Sequence, residues 1–270
     1  MTLAAHAATT GTTATARSPV VRFRDVTKVF PASPRPAIED VTFDVGEGRF
    51  VSVIGPSGCG KSTLLNMCAG LFFPERGSVE FRGAPVTKVN TRAGYITQAA
   101  NLLPWLTVAE NIEVPLRIRK VDPAERGERV RRWIERVGLA SFENHYPREL
   151  SGGMQKRCSI ARTLVYDPDI VLMDEPFGPL DALTRLAMQR ELLRLWEAHA
   201  KTVIFVTHDL QEAIALSDEI VVMTKGPGRV KGVLQVPLPR PRDITQITRA
   251  PGFAEIQAEL WEMFHDEIIV

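Results

Sequence analysis

One stretch constrains this chain more than any other. Phe50-Val51-Ser52-Val53-Ile54 is followed by Gly55-Pro56-Ser57-Gly58-Cys59-Gly60-Lys61-Ser62-Thr63. The first five residues form a largely apolar run of strand length, and residues 62–71 favour helix. The loop between them reads G-x-x-x-x-G-K-S, a pattern in which glycines let successive backbone N–H groups curl inward around a phosphate. The helix N-terminus adds the positive end of its dipole. In such a loop Lys61 reaches the β- and γ-phosphates and the Ser62 hydroxyl binds Mg²⁺.

The 270 residues suit one large domain or two small ones. A hydrophobic content of 44% and a charged content of 24% are ordinary for a folded chain. The net charge of +1 gives no overall field that would draw in nucleic acid. The basic run Arg129-Val130-Arg131-Arg132 reads as the solvated face of a helix. Cys59, Cys68 and Cys158 have neither metal-ligand spacing nor a disulfide framework, which suits a reducing cytoplasm, and Cys59 reads as a tolerated loop position. No apolar run approaches the roughly 20 residues that cross a bilayer. Residues 1–18, rich in Ala and Thr and lacking an apolar core, are expected to form a disordered tail rather than a secretory signal.

Val21, Phe23, Ile38, Val41, Phe43 and Val45 alternate as in a half-buried antiparallel sheet, broken by a Pro-rich turn at residues 31–36. Phe30 stands just before that turn, where two readings are open: an aromatic that stacks on a base, or a core or edge phenylalanine. Short strands are expected at residues 79–81 and 94–97, the second ending at Gln98. Residues 99–106 read as loop, with Leu102, Leu103 and Trp105 exposed. Helices follow. Thr107-Val108-Ala109-Glu110 is a capping box, and Asp122-Pro123 starts a second helix whose apolar face is Val130, Trp133, Ile134 and Val137. Residues of about 100–165 thus form a helical insert.

Ser151 is a good N-cap for a helix ending at Asp167-Pro168. Gly152 and Gly153 behind it are poor helix formers. They fit either an ordinary turn or the close approach of an anion to the helix start. Residues 170–173 and 203–206 are continuous apolar runs, as for strands buried on both faces. One ends in Asp174-Glu175 and the other in Thr207-His208-Asp209. Three strands therefore bring polar chemistry to their carboxyl ends, where parallel sheets bind ligands. Asp174 can complete a Mg²⁺ shell opposite Ser62, and Glu175 and His208 are the candidates to orient a water in line with a γ-phosphate. Asp209-Leu210-Gln211-Glu212 reads as another capping box. Residues 183–198 form an amphipathic helix, residues 219–223 and 230–236 an edge hairpin, residues 237–242 an extended linker and residues 253–268 a terminal helix.

With these motifs in place and in order, residues 20–236 resemble the ATP-binding subunit of ABC transporters. Residues 55–62 match its Walker A loop, Gln98 its Q-loop, residues 150–155 its signature, residues 170–175 its Walker B strand, residues 178–181 its D-loop and His208 its switch. The resemblance implies an α/β P-loop NTPase of ABC type: a mostly parallel sheet, an antiparallel N-terminal β subdomain and a helical insert. It implies ATP and Mg²⁺ as cofactors. It also implies a dimer in which Ser151, Gly152 and Gly153 of one copy meet the γ-phosphate held by the other, and it makes Asp181 of the D-loop a further nucleotide-binding residue. It favours adenine stacking for Phe30, Mg²⁺ and γ-phosphate sensing for Gln98, and a permease at residues 99–106, with a solute-binding protein as indirect partner and no nucleic acid. The expected place is the cytoplasmic face of the cell membrane, peripherally bound. Leu102-Leu103-Pro104-Trp105, Glu175-Pro176-Phe177-Gly178 and His208-Asp209-Leu210-Gln211-Glu212-Ala213 are most similar to importers of nitrate, taurine and aliphatic sulfonates. Pro179 and Met154 depart from the usual small residue and glutamine. A soluble ABC ATPase acting on DNA or the ribosome is the alternative; it normally carries long coiled coils or two cassettes, and this chain has neither. A phosphoryl-transfer kinase would leave residues 150–155 and His208 without a role.

Overall fold

The computed structural model describes residues 19–31, 33–178, 180–199 and 201–267. The expected tail at residues 1–18 and Pro179 lie outside the described residues.

Two sheets and a helical layer make up the fold. The first sheet has the order β2-β1-β4-β5, from β1 (Val21–Lys28), β2 (Ile38–Val45), β4 (Arg76–Phe81) and β5 (Ala84–Pro85). All its pairings are antiparallel. The alternation seen in the sequence places Phe23 opposite Phe43, with the two rings stacked at 4.5 Å. The second sheet has the order β10-β9-β3-β8-β7-β6. Its central strands β3 (Phe50–Ile54), β8 (Thr202–Thr207) and β7 (Ile170–Asp174) run parallel to one another and to β9 (Glu219–Met223) and β6 (Ala93–Ile96). Only β10 (Val230–Gln235) is antiparallel, at the edge.

The continuous apolar runs of the central strands serve two cores. Val51, Val53, Ile170, Leu172, Ile204 and Val206 pack toward the first sheet and α1 (Lys61–Cys68). Phe50, Ile54, Val171, Met173, Val203 and Phe205 face the opposite core, which holds α5 (Ala182–His199), α6 (Leu210–Leu216) and α7 (Phe253–Phe264). A period-two chain buried on both faces requires this, and it accounts for the missing polar alternation. A third core belongs to α2 (Val108–Ile118), α3 (Pro123–Arg136) and α4 (Gly152–Leu164), around Val108, Ile112, Leu116, Ile134 and Cys158. Both expected start signals operate there. Thr107 and Glu110 form a complete capping box, and Asp122 caps α3 with Pro123 at its first position.

Three expectations are corrected. Leu102 and Leu103 are half-buried, and Leu102 packs against the helical core; among residues 102–105 the large exposed apolar side chain is Trp105, at 69%. Asp209 does accept from Glu212 N, but the Glu212 carboxylate turns inward instead of closing the box; it accepts from Thr207 Oγ1 and, at 2.8 Å, from Gln189 Nε2. Residues 237–242 lack regular structure, as a linker would, yet they are seated. Leu238 joins the core of α5–α7, and the buried Arg242 guanidinium donates to the carbonyls of Ile214, Ala215, Ser217, Val236 and Leu238. Burial brings Arg242 down to about 10, with Arg240 beside it acting the same way.

Candidate nucleotide site

The site lies at the carboxyl edge of the parallel strands. Ile54 pairs with Thr207, and Asp174 pairs with Val206. The chain therefore leaves β3, β8 and β7 at one level, carrying the phosphate loop, His208 and Asp174-Glu175 together.

Gly60 adopts φ +93°, and a Cβ there would stand 2.2 Å from Ile38 Cγ2, so the turn into α1 tolerates no side chain. Ser57 and Gly58 are exposed at the loop's rim, Pro56 and Thr63 half-buried, Gly55 and Cys59 buried. Lys61 is 6% exposed and its ammonium donates to the Gly55 and Pro56 carbonyls at 2.8 and 2.9 Å. Burial pushes the Cys59 thiol upward despite nearby Lys61, and takes Cys68 and Cys158 to about 12, so all three stay protonated.

Ser62 Oγ, in the first turn of α1, donates to Asp174 Oδ1 at the end of β7 at 2.9 Å. Burial raises the Asp174 carboxyl above its usual range; Glu175 adds to this, while Ser62, Lys61 and Tyr95 oppose it. Tyr95 stands on the neighbouring strand β6, and burial, with Asp174 nearby, raises its phenol. A hydroxyl and a carboxylate side by side form a hard oxygen donor set suited to Mg²⁺. Among the described residues no group of three or more His, Cys, Asp or Glu could hold a metal alone.

Glu175 has φ +42°, a left-handed conformation costly for a residue with a Cβ. It turns the chain sharply off β7 while Glu175 N still donates to Val206 O at 3.0 Å. The carboxylate thereby reaches His208, whose Nδ1 stands 3.3 Å from Glu175 Oε2 with the imidazole 64% exposed. Gln98 borders the same turn: a Cβ on Gly178 would lie 3.3 Å from Gln98 Nε2 and 3.9 Å from Glu175 Oε2.

The other expected residues lie around this centre. Phe30 is half-buried, edge-on to Phe72 with centroids 5.4 Å apart and the Lys28 ammonium 5.4 Å from its ring. Ser151 caps α4 by accepting from Met154 N, with Ser151 and Gly152 exposed. Gly153 abuts Thr184 of α5, where a Cβ would fall 2.8 Å from Thr184 Cγ2. Asp181, fully exposed, accepts from Thr184 N at 3.0 Å; the Thr184 side chain first, and then this amide, hold its carboxyl below the usual range. The strand ends thus gather residues 55–62, Gln98, Asp174, Glu175 and His208, while the signature residues stand on the helical layer beside α5.

Sequence reasoning missed Tyr95, which only the pairing of β6 with β7 brings to Asp174, and Gly228. A Cβ on Gly228 would stand 1.9 Å from the Cys59 carbonyl oxygen, so the turn at residues 226–229 backs directly onto the phosphate loop.

The parallel sheet, the phosphate loop leading into α1 and the acidic end of β7 define a P-loop NTPase, with the added antiparallel sheet and helical layer of the ABC cassettes. The chain belongs to the ABC transporter family, whose sequence profile matches residues 38–178. It is 43% identical over 251 residues to an uncharacterised ABC transporter ATP-binding protein of Methanocaldococcus jannaschii, covering 92% of each chain. The aliphatic sulfonates import ATP-binding protein SsuB of Bacillus cereus is 44% identical over 241 residues, 88% of this chain and 93% of that one. The taurine import ATP-binding protein TauB of Pelagibacter ubique is 40% identical over 230 residues, 84% and 87%. Among solved structures, the dimeric post-hydrolysis state of an ATP-binding cassette bound to ADP and Pi superposes with a TM-score of 0.71 at 34% identity, covering 80% of this chain and 98% of that one. Among the described residues no helix is long and apolar enough to cross a membrane.

Proposed function

We propose that this protein hydrolyses ATP as one of two cassettes bound to the cytoplasmic side of a membrane permease, driving import of a small sulfonate, taurine, nitrate or similar solute delivered by a binding protein. The observation that carries the reading is the pairing of two contacts at one sheet edge: Ser62 with Asp174, and Glu175 with His208.

In this reading the Gly55 and Pro56 carbonyls stand in for phosphate oxygens, and Lys61 releases them when a nucleotide enters. Ser62, Asp174 and Gln98 would hold Mg²⁺, which would supply charge neutralisation to the bound phosphates. Phe30 stacks on adenine. Glu175 accepts the proton of a water aligned with the γ-phosphate, and His208 holds the Glu175 carboxylate and the phosphate in register. The exposed Ser151 and Gly152, with Gly153 behind them, present helix N–H groups to the nucleotide of the second copy, with Asp181 beside them. The exposed Trp105 belongs to the permease contact at residues 99–106. The solved dimeric relative supports the two-copy site, and the names of the sulfonate and taurine relatives support the solute class.

The test is Glu175→Gln. It should bind ATP with unchanged affinity and hydrolyse it on the order of a hundred-fold more slowly or worse. Wild-type turnover in this variant would refute the role given to Glu175.

A further inference from the structure

We propose that Lys156 and Arg162 of α4 clasp the chain around Gln98, so that the signature helix sets the position of Gln98 in its own subunit. The inference rests on the reading above for what Gln98 does, but not for the clasp itself.

Lys156 is 3% exposed, yet its ammonium points at backbone carbonyls, Thr97 O at 2.6 Å and Gln98 O at 3.2 Å. Two turns further on, Arg162 donates from Nη1 to Asn101 O at 2.9 Å and from Nη2 to Ala100 O at 3.1 Å. Two cations of one helix therefore bind four carbonyls within five residues of loop. The loop is also closed on itself. Thr97 Oγ1 donates to Ala99 O at 2.7 Å, Asn101 Nδ2 donates to Thr97 Oγ1 at 2.8 Å, and Asn101 takes φ +46°.

A buried ammonium bound to dipoles is stable only where those dipoles are, because separation would leave the charge desolvated and unpaired. The cost of that orphaned charge ties α4 and residues 97–101 into one moving body. Lys156 lies three residues beyond Gly153, less than one helical turn. A displacement of the α4 N-terminus is thus passed to the Gln98 backbone without an intervening joint. If Ser151 and Gly153 meet the partner's nucleotide, each α4 connects the two sites of the dimer: its first turn touches one and its Lys156 places Gln98 in the other. Lys156 and Arg162 act here as positioning residues, since neither reaches the reacting atoms.

The experiment is Lys156→Met, which keeps the chain length and removes the donors, alongside Lys156→Arg and Lys156→Gln, which keep donors. Amide hydrogen exchange is measured first, on the protein without nucleotide. Exchange across residues 97–101 should rise on the order of ten-fold in the Met variant, with α1 and β3 unchanged, and return toward wild type in the Arg variant. In steady-state ATPase assays the Met variant should lose on the order of ten-fold in kcat and need more Mg²⁺ for half-maximal rate, with KM for ATP within about two-fold. If Lys156→Met fails to fold, Lys156→Gln carries the same comparison and should fall between it and wild type. Unchanged exchange at residues 97–101 overturns the clasp, and so does exchange raised equally over the whole chain. An active wild type with unchanged kcat and Mg²⁺ dependence in Lys156→Met overturns the role of the clasp in placing Gln98. A wild type that hydrolyses no ATP would instead refute the proposed function, leaving the exchange result to judge the clasp.

Discussion

Gly228→Ala tests how the phosphate loop is held from behind. The added Cβ would stand 1.9 Å from the Cys59 carbonyl oxygen and 3.0 Å from Met223 Cε. The methionine can swing away, but the carbonyl is backbone. Ordinary carbon–oxygen contact begins at about 3.3 Å, so the loop and the turn must separate by roughly 1.4 Å. That turn is tied down, with Gly228 N donating to Ala37 O at 3.1 Å and Gly228 O accepting from Glu39 N at 2.9 Å. The Cys59 carbonyl belongs to the phosphate loop, so any separation displaces that loop. Overpacking of this kind costs about 1–3 kcal/mol in stability. A displacement near 1 Å in a positioned site costs on the order of a hundred-fold in turnover. Gly226, two residues earlier, has nothing within 4 Å of an added Cβ and is the matched control. Urea unfolding, ATP binding by titration and ATPase rate should all separate the two variants, with Gly226→Ala near wild type. Equal ATP affinity in Gly228→Ala and Gly226→Ala would refute the steric argument.

Two further outcomes follow from single side chains. Burial raises the Glu212 carboxyl above its ordinary 4.5, so the native state holds the extra proton: this contribution to stability is complete below 4.5 and is lost as pH climbs through the raised native value. Glu212→Gln removes that titration. Its urea midpoint relative to wild type should therefore rise as pH climbs above 4.5, and parallel curves would contradict the burial argument. Trp105→Glu should leave the ATPase rate of the isolated protein within about two-fold. It should also weaken co-sedimentation with membranes carrying the cognate permease by about thirty-fold, the loss of an anchor worth about 2 kcal/mol.

Much of this architecture was legible because it is local. The phosphate loop, the caps at Thr107 and Asp122 and the apolar runs of β3, β7 and β8 each declare themselves within about ten residues. The meeting of those strand ends followed from the rule that parallel sheets bind ligands at their carboxyl edges. What escaped was set by tertiary packing. Gly228 and Tyr95 reach the site only through the order β9-β3-β8-β7-β6, which no short pattern specifies. Lys156 belongs to no sequence motif, and only the packing of residues 97–101 against α4 buries its ammonium. Leu102 looked exposed because a loop of apolar residues carries no periodicity to show which of them turns inward. Glu212 has capping-box spacing, but the hydroxyl of Thr207 and the amide of Gln189 offer its carboxylate better partners.

The central claim is that the phosphate loop is half of a site completed by the signature of a second copy. Its most direct test is the solution mass of Glu175→Gln with saturating Mg²⁺ and ATP, by light scattering behind size exclusion. One chain weighs 30.0 kDa, so the account predicts 2 × 30.0, or about 60 kDa, with ATP. Adding Ser151→Arg should return the mass to that of one chain while ATP still binds. A variant that binds ATP fully and stays at 30.0 kDa would contradict the claim.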